Sequence, residues 1–178
     1  MKTTIATLAS LTLLAGAAVA QDTNPGATAN FIDAQGNEIG AVTLLQTEEG
    51  VDISGALEMG IPEGEHGFHI HETGDCDPST AFESAGDHFD VASHQHGFDN
   101  PQGPHAGDIR NIVAGADGRA VIEVTNDMVS LVDGEEGYLF DDDGSALVVH
   151  ADPDDYVTDP SGNSGDRIAC AVVEAAPQ

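Results

Sequence analysis

The stretch from Gly67 to Asp108 constrains this chain more than any other. It begins GFHIHETGDC, runs through SAGDHFD and SHQHGFD, and closes with PHAGD. Its first residues alternate as a strand does, but Thr73 to Asp108 is too long and too rich in Gly, Pro, His and Asp to be one. A loop of that length in a compact domain needs a purpose and something to hold it. His69, His71, His88, His96 and His105 lie in the stretch with Asp108 and Cys76, and His150 ends the later apolar run SALVVH.

The rest of the chain reads as short extended runs broken by turn residues, with little helical period. Candidate strands are Ala29–Asp33, Glu38–Thr47, Val51–Leu57, Glu65–Glu72, Ile109–Ala114, Ala120–Thr125, Ala146–His150 and Arg167–Val173. Asp117-Gly118 is a hairpin turn, and residues 126–132 have room for a short helical turn. A second long loop spans Ala151 to Asp166. The expectation is one all-β domain over residues 29–178, an eight-stranded Greek-key flattened barrel or sandwich with two long loops. Its length suits a single core.

Residues 1–20 differ in kind. Met1-Lys2 is positive, Ile5 to Val19 is apolar or small, and Ala18-Val19-Ala20 offers a cleavage site. This predicts a signal peptide, followed by a flexible leader over 21–28. The apolar run is short of the roughly 20 residues of a membrane anchor. Export puts the chain in an oxidising compartment, periplasmic or extracellular. There a disulfide between Cys76 and Cys170, the only two cysteines, is the default over two buried thiols. Closing so long a loop contributes about 4–5 kcal/mol in the chain-entropy description.

Charge excludes whole classes of partner. The chain has 4 Lys and Arg against 32 Asp and Glu, a formal charge of −28. Lys2 lies in the signal segment, so only Arg110, Arg119 and Arg167 remain after cleavage. Nucleic acid and anionic membranes both need basic patches and are excluded. Self-repulsion on this scale is relieved by salt and suggests a salty habitat.

The histidines point to metal. His69 and His71 are two apart on a strand, so both rings face one side, roughly 6–7 Å apart. His150 also ends a strand and can converge on that face. His105 and Asp108, three residues apart, join His96 in the loop. Three ring nitrogens and a carboxylate suit tetrahedral zinc; several imidazoles in a tetragonal array suit copper(II). One histidine is lacking for two separate nitrogen-rich sites unless one ring serves both, and His88 stands midway. His66 and His94 fit neither site and are expected to face solvent. Asp141 to Asp143 reads as a solvated turn.

With these residues in view, the chain resembles the Cu,Zn superoxide dismutases in their bacterial exported form. The motifs are GFHIHETGDC at 67–76, HAGD at 105–108 and GNSGDRIAC at 162–170, and the likeness runs from about Phe31 to Val173. The resemblance implies copper on His69, His71, His88 and His150, and zinc on His88, His96, His105 and Asp108. His88 would be the bridging imidazolate, Arg167 would guide the superoxide anion, and Asp154 would link a copper histidine to a zinc histidine. The Cys76–Cys170 disulfide would tie the metal loop to the last strand. The implied activity is a two-step redox cycle yielding dioxygen and hydrogen peroxide, with superoxide as the partner of a monomer or homodimer. The alternative is a carrier that holds copper or zinc without turnover; the presence of Arg167, His88 and both ligand sets favours the enzyme.

Overall fold

Apolar and polar residues alternate along most of the extended runs, and the computed structural model, which describes residues 25–176, turns them into eight strands. These are β1 (Gly26–Asp33), β2 (Glu38–Thr47), β3 (Gly50–Leu57), β4 (Gly64–His71), β5 (Asp108–Ala114), β6 (Ala120–Asn126), β7 (Ala146–His150) and β8 (Arg167–Ala175). The expected signal peptide lies outside the described residues. The strand order is β1-β2-β3-β6-β5-β4-β7-β8, closed into a barrel by β8 pairing back to β1. Every ladder is antiparallel, and the β3–β6 and β4–β7 neighbours are the Greek-key crossovers. The wall is thinnest between β5 and β6, joined by the single register pair Ala114↔Ala120. The all-β expectation therefore holds.

Three local expectations differ. β1 starts at Gly26, inside the expected leader, because Ala27 pairs with both Leu44 of β2 and Ala175 of β8 and is buried. No helical turn forms at 126–132; Ser130 instead bridges to Tyr138. Two short 3-10 turns, Pro78–Thr80 and Glu83–Ala85, appear inside the long loop after β4, the first capped by Asp77 accepting from the Ser79 amide.

β4 explains how the barrel carries the site. Phe68 and Ile70 point into the main core beside Phe31, Leu147 and Val149. His69 and His71 point the other way, yet both are buried because the long loop covers them. Loop and strand are stitched together around His88. The Phe89 amide donates to the Ile70 carbonyl at 2.9 Å, Glu72 donates to the Asp87 carbonyl at 3.0 Å, and Gly107 exchanges bonds with Ile70 and Phe89. A second small core, formed by Phe82, Ala85, Ala146, Val148 and Cys170, packs the loop against the outer face of β7 and β8. The disulfide Cys76–Cys170 spans 94 positions and fastens the same loop to β8.

Candidate metal centre

Strand register brings the first set of donors together. His69 is paired with Val148 and His71 with Ala146 across the β4–β7 ladder, and His150 faces Arg167 across β7–β8. His88 comes from the loop through a bridge to His71. One nitrogen of each ring is occupied. His71 Nδ1 donates to the Gly86 carbonyl at 3.0 Å, His150 Nδ1 to the Gly165 carbonyl at 3.2 Å, and His69 Nε2 to Asp154 Oδ2 at 2.9 Å. These bonds fix the tautomers. They leave His69 Nδ1 and the Nε2 atoms of His71, His88 and His150 buried without a partner. The four residues offer ligand atoms all within 4.8 Å of one another.

The second set surrounds one carboxylate oxygen. Asp108 Oδ1 lies 2.8 Å from His88 Nδ1, 2.9 Å from His96 Nδ1 and 3.5 Å from His105 Nδ1. Its other oxygen accepts from the backbone amides of Gly97 and His105. His88 thus belongs to both sets, one ring nitrogen to each. Asp154 ties the sets a second time, taking His69 on Oδ2 and His96 Nε2 on Oδ1, each at 2.9 Å.

The residues fit metal ions. Among the described residues, the only buried side-chain nitrogens or oxygens without a hydrogen-bond partner are five histidine nitrogens, one each on His69, His71, His88, His105 and His150. Such groups cost about 1–3 kcal/mol each if left unmet, and all five belong to the two sets. Four imidazoles suit copper(II), and three imidazoles with a carboxylate suit zinc.

The electrostatics separate the sets. Burial, then repulsion from His69, pushes His88 down to about 3, and the same two causes take His150 to about 3. Burial also holds His71 and His69 below the usual imidazole value. His96 goes the other way: burial would lower it, but the bonds to Asp108 and Asp154 prevail and raise it to about 9. Against the cost of burial, the surrounding histidines hold Asp108 and Asp154 well below the ordinary carboxylate range. A neutral quartet, His69, His71, His88 and His150, thus lies beside a clamped imidazolium.

A cavity of about 910 Å³ opens onto His71, His88 and His150. Arg167 lines it, with Asp33, Glu83, Asp87, Asp159 and Asp166. The guanidinium donates to the Phe82 and Gly86 carbonyls, both at 2.7 Å, and its nearest carboxylate partner is Glu83 at 3.9 Å rather than the adjacent Asp166.

The family described as Copper/zinc superoxide dismutase (SODC) matches residues 38–173. The chain belongs to the copper/zinc superoxide dismutase family. Superoxide dismutase [Cu-Zn] 2 of Aquifex aeolicus is 44% identical over 173 residues, covering 97% of this chain and 99% of the relative. Superoxide dismutase [Cu-Zn] of Caulobacter vibrioides is 43% identical over 150 residues, covering 83% of this chain and 85% of that one. The crystal structure of a SOD-like protein from Bacillus subtilis superposes with a TM-score of 0.78 at 39% identity, covering 83% of this chain and 98% of the other.

Sequence reasoning misplaced one histidine of this family member. His66 is buried, its Nδ1 2.8 Å from the His150 carbonyl and its Nε2 2.7 Å from the Pro62 carbonyl. It shares the parity of Phe68 and Ile70, so strand alternation alone points it inward. His94 is exposed, as expected, near Asp90. Asn111 went unnoticed: its side-chain amide meets both the Asp154 amide, at 2.9 Å, and the Asp154 carbonyl, at 3.0 Å. So did Asp159, whose carboxylate accepts from the His96 amide at 2.9 Å. Neither lies in a ligand spacing that could have flagged it.

Proposed function

We propose that this chain dismutes superoxide, converting two superoxide anions and two protons into dioxygen and hydrogen peroxide. His69, His71, His88 and His150 hold copper; His88, His96, His105 and Asp108 hold zinc. The observation that carries this reading is the double membership of His88, with Nε2 among the first donors and Nδ1 on Asp108 Oδ1 at 2.8 Å. When bound, copper supplies a one-electron couple and zinc a fixed positive charge.

The chain supplies the rest. His88 offers Nε2 as the place where a proton is taken up and returned, next to the open cavity. In the metal-free chain, burial and then repulsion from His69 disfavour a second proton on that ring. Arg167 offers a fixed positive charge on the cavity wall to orient an anion. Asp154 fixes the ring orientations of His69 and His96 together. The disulfide supports export to an oxidising compartment, most simply the periplasm. The protein works there as a monomer or homodimer, with no nucleic acid or membrane partner.

The test is superoxide decay after loading with copper and zinc. Fast decay that is lost on chelation and in His88→Ala is expected. A protein that takes up both ions yet leaves the decay rate at the metal-free level would be a carrier instead.

A further inference from the structure

Phe98, Arg110 and Tyr156 each stand two residues beyond His96, Asp108 and Asp154 respectively, two members of the second donor set and the carboxylate that ties the sets together. They come from the long loop, from β5 and from the second loop, and they meet outside the site. The Arg110 guanidinium carbon lies 4.8 Å from the Phe98 ring centre and 5.5 Å from that of Tyr156. The two rings are 6.0 Å apart. Arg119 and Arg167 reach Glu58 and Glu83, whereas Arg110 has no carboxylate at ion-pair distance among the described residues. In a chain with 32 acidic residues, this cation is committed to two aromatic faces.

The backbone under this stack is tightly determined. The Tyr156 amide donates to Asp154 Oδ1 at 2.6 Å, its carbonyl accepts from the Asp99 amide at 2.9 Å, and its hydroxyl accepts from the Asn111 amide at 2.9 Å. Tyr156 has φ 62°, a region an aromatic residue seldom adopts and one its surroundings must impose. Gly97, between His96 and Phe98, lies so close that a Cβ there would overlap the Tyr156 carbonyl oxygen. The two loops therefore touch backbone to backbone where the stack covers them.

We infer that Arg110 is a positioning residue: by gripping Phe98 and Tyr156 it holds the two loops closed over the zinc-side donors and slows the departure of zinc. The inference rests on the assignment of zinc to His88, His96, His105 and Asp108. Arg110 is itself exposed, so its truncation leaves no buried void or charge.

The experiment follows zinc transfer to excess chelator from wild-type, Arg110→Lys and Arg110→Ala proteins loaded with copper and zinc, alongside metal-free stability. Zinc leaves Arg110→Ala about three- to tenfold faster, given the strength of two exposed cation–π contacts. Arg110→Lys falls between, and kcat/KM of the fully loaded variants stays within about twofold. Release at the wild-type rate in Arg110→Ala overturns the inference, as does faster release matched by an equal loss of metal-free stability. His105→Ala separates this from the underlying assignment. Unchanged zinc affinity in His105→Ala sinks the assignment itself. Lost affinity there, with wild-type release from Arg110→Ala, sinks the clip alone.

Discussion

His71 and Arg167 share one acceptor, the Gly86 carbonyl oxygen, at 3.0 and 2.7 Å. The bond from His71 Nδ1 leaves Nε2 buried without a partner, and the bond from Arg167 pins the guanidinium on the wall of the same cavity. Since His71 keeps its own bond when Arg167 is removed, the two roles are separable. Arg167→Ala is expected to lower kcat/KM about tenfold, roughly 1.4 kcal/mol of transition-state stabilisation. Copper content and its visible spectrum should change little. Arg167→Lys keeps the charge without the two-pronged geometry and should fall between. Stopped-flow superoxide decay on metal-matched proteins checks this; equal rates in all three would remove Arg167 from the reaction.

Gly162 shows how closely the second loop is fitted to the site. Its φ is 64°, and a Cβ there would overlap Asp154 Oδ1, with His96 Nε2 2.7 Å away. Gly162→Ala must therefore move the carboxylate that orients His69 and His96. The expected cost is about 2–4 kcal/mol of stability, from the backbone conformation and the clash together. Weaker zinc binding should accompany it. Urea unfolding and zinc titration report both, and a variant with wild-type zinc affinity would show that Asp154 does not govern that site.

Much of the barrel was legible because its strands obey simple alternation. β2, which alternates, and β7, a short apolar run buried on both faces, begin and end where the sequence places them. The first three residues of β1 are not legible, because Gly-Ala-Thr lacks strand character and its pairing on both edges is a tertiary effect. The two histidine clusters are legible because metal ligation demands particular residue types at particular spacings, and the fold brings those residues together. Asn111, Tyr156 and Gly162 were not, since each acts through backbone groups or contact shape, which a residue name does not encode. His66 is legible by its parity with Phe68 and Ile70 on β4, although it fits no ligand spacing.

The cavity mouth has consequences for rate. Five carboxylates, on Asp33, Glu83, Asp87, Asp159 and Asp166, line it against one arginine, in a chain of net charge −28. Copper/zinc superoxide dismutases are themselves a standard example of attraction steering an anion inward. With that net charge, the long-range field is expected to repel an anion, leaving Arg167 to act at short range. Salt shortens the Debye length from about 30 Å at 0.01 M to about 8 Å at 0.15 M. The distant acids are then screened before the guanidinium is. Accordingly kcat/KM should rise with added salt over this range. A steep fall would mean that attraction still dominates.

The clamped imidazolium predicts how the metal-free protein responds to pH. His96 is raised from 6.5 to about 9, so its contribution to stability is full below pH 6.5 and lost as pH rises through about 9. His88 and His150 are depressed to about 3. The unfolded chain therefore takes up their protons near 6.5 while the folded chain resists until about 3, and stability falls as pH drops across that window. Metal-free protein should thus be most stable near neutrality and weaken on both sides. Zinc replaces the proton on His96 Nδ1, so zinc uptake at pH 7 must release protons, and zinc affinity should climb with pH until about 9. Copper uptake by the zinc-free protein, where His88 offers Nε2 as a neutral imidazole, should release far fewer. Calorimetric titrations in buffers of different ionisation enthalpy count those protons. Equal release for the two ions, or an alkaline loss of stability that persists in the zinc-loaded protein, would show that His96 is not the group that titrates.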